Sequence, residues 1–136
     1  MRRSFYVAAL AVLAACSLAA IKPPRARIVS PKAGSTLASG SVLVRFKADG
    51  IAIVPASGVQ EAGKAHHHLF VDADLSPSSE VIPKTAQIHH LGNGADTLRL
   101  ENLAPGRHRL IAVLAWGTHV PVAGARPDTI VVTVAP

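Results

Sequence analysis

From Ser41 to Ala48 the chain alternates without a break: Val42, Val44, Phe46 and Ala48 fall on one side of an extended backbone, Leu43, Arg45 and Lys47 on the other. A period of two defines a half-buried strand, because a helix would scatter the same apolar residues around its circumference. Further strands are expected at Arg25–Ser30, His66–Asp72, Ala86–His90, Asp96–Leu103, Arg107–Trp116 and Asp128–Val134. Turn chemistry separates them, as in Lys32-Ala33-Gly34-Ser35, Gly92-Asn93-Gly94 and Pro105-Gly106. The run Leu110 to Trp116 is apolar throughout, and its shortness and β-branched content favour a central strand covered on both faces over a helix. Two long connections join the strands, 49–65 with Gly50, Pro55, Gly58 and Gly63, and 73–85 with Pro77 and Pro83. Such short strands, with no helical period after the first residues, predict an all-β fold: an immunoglobulin-like β-sandwich of about seven strands.

The N-terminus carries a different signal. Arg2 and Arg3 precede the apolar stretch Phe5 to Ala15, and Leu13-Ala14-Ala15-Cys16 sets two small residues directly before a cysteine, as lipoprotein cleavage and acylation require. The apolar stretch is about eleven residues, well short of the roughly 20 that cross a bilayer as a helix. A cleaved signal is therefore expected over 1–15, a lipid-anchored tether with Cys16 as the acylated residue over 16–24, and one domain over 25–136. The alternative is plain secretion to the periplasm with cleavage after Ala19 or Ala20. Cys16 is the sole cysteine, so an exported chain has no intramolecular disulfide, and acylation accounts for the thiol. Ser17 supplies no acidic retention signal, which favours the outer membrane where there is one. The expected address is the cell envelope, with the membrane as partner through Cys16.

Without Arg2 and Arg3 the chain keeps about 12 basic residues against 8 acidic ones. The basic residues alternate with apolar ones, as in Arg25-Ala26-Arg27, which is the pattern of a solvated strand face and disfavours nucleic acid as a partner.

Histidines are the only constellation with chemistry. Six of them, His66, His67, His68, His89, His90 and His119, are expected at one end of the sandwich, and His108 at the other. Alternation puts His66 and His68 on one face of their strand and His67 on the other. The preferred metal ligands are His66, His68, His90 and His119, with Asp72 as an orienting carboxylate behind them and His67 and His89 as secondary candidates. Neutral imidazoles without a thiolate suit copper(II) or zinc. The competing reading is a polar network that braces two long loops and needs no ion. A small ligand other than a metal is a third.

The segments Gly50-Ile51-Ala52-Ile53-Val54-Pro55-Ala56-Ser57-Gly58 and Gly63-Lys64-Ala65-His66-His67-His68-Leu69-Phe70-Val71-Asp72 carry a family resemblance. It continues in Ile82-Pro83, His90-Leu91-Gly92-Asn93-Gly94, Leu103 to Leu110 and His119-Val120-Pro121. Over most of residues 28–134 the chain resembles the bacterial family known as domain of unknown function 4399. The resemblance implies a small exported β domain and carries no established activity. Members usually have an acidic residue and another histidine shortly before the His-Val-Pro step, where this chain has Trp116, Gly117 and Thr118. Trp116 is expected to plug the end of the core, with a stacking surface as the alternative.

Enzymatic chemistry is not expected. There is no free cysteine nucleophile, no serine elbow and no pair of carboxylates set for glycoside hydrolysis. Two functions remain: an envelope module that captures a transition metal or small ligand, and a structural or interaction domain in which the histidines only brace loops.

Overall fold

Burial follows the alternation. In the computed structural model, which describes residues 20–38 and 40–136, Ala26, Ile28, Val42, Val44 and Phe46 are buried while their sequence neighbours face outward. The expected signal segment, Cys16 and residues 17–19 of the tether lie outside the described residues. Nine strands follow in order: β1 (Arg25–Ser30), β2 (Thr36–Leu37), β3 (Gly40–Asp49), β4 (Ala52–Ile53), β5 (Lys64–Val71), β6 (Ile88–His90), β7 (Thr97–Leu103), β8 (Gly106–Ala115) and β9 (Asp128–Val134). No helix occurs among the described residues.

The strands form two sheets. One is antiparallel, in the order β1-β3-β7, with Ile28 opposite Phe46 and Val44 opposite Leu98. The other runs β2-β9-β8-β5-β4, and β6 lies beside β5 on the edge that β4 also joins. The molecule is thus an all-β sandwich. Its core lies between the sheets and includes Val44, Leu69, Leu110, Ala112 and Val132. A fully buried leucine or valine of this kind stabilises the fold by about 1.5–3 kcal/mol.

The segments β5 and β8 do not alternate because both of their faces are covered. Leu69 and Val71 face the core, while Phe70 packs outward against Ile111, Val113 and Ala115. The connection 72–87 folds back over that outward face and lays Ile82 on it. Its course is fixed by Val71 N–H donating to Gln87 O at 2.8 Å and by Ile82 N–H donating to His119 O at 2.9 Å. Beyond the seven expected strands, β2 and β4 are two-residue parallel additions to sheet edges, too short to show any periodicity. The strand expected at Ala86–His90 is shorter, because Thr85 and Ile88 close a turn that leaves only Ile88–His90 paired.

Candidate metal centre

The outward face of the six-stranded sheet carries the histidine cluster. On β5 the pleat turns His66 and His68 outward and His67 inward. Antiparallel pairing sets His90 of β6 directly opposite His68, so those two rings share a face. The fourth ring comes from the turn that follows β8. Trp116 N–H donates to Val120 O at 2.9 Å and His119 N–H to Trp116 O at 2.8 Å, which folds the chain back over the sheet. This turn holds His119 at φ 67°, in the left-handed region. That conformation costs a non-glycine residue on the order of 1 kcal/mol, and the surrounding hydrogen bonds sustain it.

The four rings converge. His66 Nε2 lies 2.9 Å from His68 Nε2 and 3.1 Å from His90 Nε2. The His119 ring centroid is 4.4 Å from that of His90 and 5.0 Å from that of His66. One ligand nitrogen from each of the four can be chosen so that all lie within 4.8 Å of one another. Two nitrogens bound to one ion at 2.0–2.1 Å are about 2.9 Å apart across a right angle, about 3.4 Å across a tetrahedral angle and at most about 4.2 Å apart. The close contacts fall in that range, and a separation at the 4.8 Å limit would close by about 0.6 Å for a trans pair and by about 1.4 Å for a tetrahedral one. His66 and His68 are buried, His119 is partly covered and His90 is exposed, so the cluster opens on one side.

Hydrogen bonding alone serves this arrangement poorly. A neutral imidazole has one N–H and one lone pair, so His66 Nε2 can accept from only one of its two neighbours or must share a single proton between them. The Nδ1 atoms of His66 and His68 are buried without partners, which leaves each ring with an unused polar atom whichever tautomer it adopts. Burial drives the pKa of His66 down to about 4 and that of His68 down to about 3, and the neighbouring histidines push in the same direction. The pKa of His90 is lowered by burial first, then by His119 and Lys84. These rings are therefore neutral at pH 7, the form that donates a lone pair to a cation.

Packing, in place of carboxylates, orients the rings. A Cβ added at Gly92 would come within 2.2 Å of the His90 ring, so the bare backbone there gives the imidazole its place. One added at Gly117 would lie 2.3 Å from Val59 O, where the turn before His119 closes against the 57–59 loop. Thr118 Oγ1 in the same turn is buried without a partner, and Trp116 packs against the sandwich core.

Three expected site residues stand elsewhere. Asp72 is at the far end of β5, where its Oδ2 lies 2.6 Å from His108 Nδ1 and its Oδ1 accepts from Arg109 N–H at 2.8 Å. It cannot orient the cluster. His67 stacks on Phe46 inside the core at a centroid distance of 5.1 Å, because the pleat that turns its neighbours out turns it in. His89 is opposite Leu69 and shares the inward side of the sheet for the same reason. The cluster itself lies near the expected end of the sandwich but on the outer face of one sheet, not between the end loops. Gly92 and Lys84 were not foreseen as site residues: Gly92 reads as turn chemistry, and nothing in the connection marks Lys84 as lining the site.

Four convergent imidazoles on the outward face of an all-β sandwich form a histidine cluster. The sequence model of the family described as Domain of unknown function (DUF4399) matches residues 44–135, and the chain belongs to that family. The matched span includes all four clustered histidines. Among curated proteins, none matches the chain.

Proposed function

We propose that the protein is a non-catalytic cell-envelope module that holds one divalent transition-metal ion, copper(II) or zinc, on His66, His68, His90 and His119. The observation that carries this reading is the convergence of four imidazole rings, two of whose Nε2 contacts are 2.9 and 3.1 Å. Imidazole nitrogen suits these borderline ions. The chain's one cysteine and one methionine, Cys16 and Met1, precede the domain, so the soft sulfur ligands that favour copper(I) are missing from the cluster. The envelope address rests on Arg2, Arg3 and the Leu13-Ala14-Ala15-Cys16 signal, with acylation of Cys16 as the membrane link and residues 17–24 as a tether reaching at most about 28 Å.

The second reading, a bracing network, draws on the His66–His68 contact, which serves equally as an N–H···N hydrogen bond. Calorimetry of the purified protein at pH 7 separates the two. Copper(II) and zinc are expected to bind one ion per chain, and the heat is expected to vanish in a His66→Ala/His68→Ala variant that keeps the β-sheet circular dichroism of the parent. No heat with either metal leaves the bracing network as the function of the cluster.

A further inference from the structure

A metal held by four neutral imidazoles keeps its full double positive charge, and among the described residues no unpaired carboxylate adjoins this cluster. Asp72 pairs with His108 at the other end of β5, and Glu61, on the His66 side, pairs with Lys64 at 2.6 Å. A cavity of about 200 Å³ opens directly onto His68, His90 and His119, and its other walls are formed largely by apolar residues such as Ile82 and Ile88. The only formal charge on its lining is the ammonium of Lys84. A lysine beside a cation site opposes the cation, and burying an uncompensated double charge against apolar walls is unfavourable. Both difficulties disappear when an anion occupies the cavity.

Resting on the metal reading above, we propose that this cavity is a second binding site, in which a small carboxylate ligates the metal on the open side of the cluster. Its oxygen meets the ion, the Lys84 ammonium flanks its charge, and its short hydrocarbon lies along Ile82 and Ile88. Apolar walls favour a carboxylate with a hydrocarbon tail over a bare inorganic anion, because each buried methylene adds to affinity.

The test uses the full-length protein loaded with copper(II), with azide as the visible probe. Azide is expected to produce a ligand-to-metal charge-transfer band and to change the electron paramagnetic resonance spectrum, saturating at one azide per copper. Butyrate is expected to displace it about tenfold better than acetate, the effect of two further buried methylenes. Lys84→Met is expected to weaken both anions about fivefold by removing one exposed charge. Val81→Trp, at an exposed position on the cavity lining, is expected to exclude butyrate. Both variants keep the copper stoichiometry. A copper spectrum indifferent to azide, or equal displacement by acetate and butyrate, overturns the carboxylate site and leaves the metal reading standing. Failure to bind copper or zinc at all overturns both.

Discussion

Three consecutive imidazoles on one strand occupy two environments, and His67 has the harder one. Both of its ring nitrogens are buried without a partner, its pKa is driven down to about 4 by burial against a slight opposing pull from Asp96, and its only specific contact is the stacked Phe46. A buried polar atom left unpaired costs about 1–3 kcal/mol, whereas an aromatic stack returns about 0.5–1.5 kcal/mol. His67→Leu removes both terms at similar volume, so it is expected to raise unfolding stability by about 1 kcal/mol in a urea titration. Metal uptake stays at the parent value, because the side chain points away from the cluster. A loss of stability in that titration implies that the ring nitrogens are paired after all. The same substitution at His66 or His68 is expected to abolish uptake, so position 67 tests whether the pleat, and not mere proximity in sequence, selects the ligands.

At the scale of elements, β6 and the turn after it do most to shape the site. Pairing with β5 brings His90 over His68, and the chain then turns so tightly that Gly92 lies under the ring. Gly92→Ala must displace the imidazole, since its methyl would fall 2.2 Å from the ring, yet a partly exposed side chain can swing aside without unfolding the sheet. Calorimetry is expected to show metal binding weakened by about tenfold or more, with the thermal midpoint of the metal-free protein shifted by only a few degrees. Unchanged affinity would mean that His90 is not a ligand. Alternation made much of this architecture readable in advance: it marks β1, β3 and the opposite orientations of His66 and His67 in the bare sequence. The residues missed are those whose role depends on a contact between distant segments. Nothing local in Gly92 distinguishes a turn glycine from one that makes room for a ring, and nothing in Lys84 shows that the connection folds back over the sheet. Asp72 was misplaced for a related reason. It follows the histidine triplet closely in sequence, but an extended strand advances about 3.3 Å per residue, so six positions carry Asp72 roughly 20 Å from His66.

Across the whole molecule, the two ends of β5 respond to pH in opposite directions. At one end His66, His67 and His68 have folded-state values of about 4, 4 and 3 against 6.5 for a free imidazole. Between those limits the unfolded chain binds more protons than the folded one, so stability falls as pH drops from about 6.5 toward 3–4. At the other end burial opposes the charge of His108, but the bonds to Asp72 Oδ2 at 2.6 Å and Ala104 O at 2.7 Å outweigh it and raise the pKa above 6.5. Both ring nitrogens face acceptors, which is the arrangement of an imidazolium ion. Arg109, whose Nη2 bonds Asp74 Oδ1 at 2.6 Å, is the other charge beside Asp72. The stabilisation from His108 is complete below 6.5 and is lost as pH rises through the raised folded value. Asp72 contributes in the reverse sense: its own burial is outweighed by the bonds from Arg109 N–H and His108, its pKa is lowered from 3.8, and its contribution disappears only as pH falls below that value. Three lowered groups outweigh one raised group until the unfolded triplet has lost most of its protons, so metal-free protein is expected to be most stable just above pH 6.5, with a steep acid limb from the triplet and a shallow alkaline limb from His108. His108→Gln keeps a side-chain donor but cannot gain a proton, so it is expected to flatten the alkaline limb while leaving the acid limb unchanged. Its cost at pH 6 is on the order of 1 kcal/mol, reduced from that of a buried pair because Asp72 is open to solvent. Urea titrations of parent and variant at pH 5, 6, 7 and 8 measure both limbs. An alkaline limb that persists in the variant would assign it to some group other than His108.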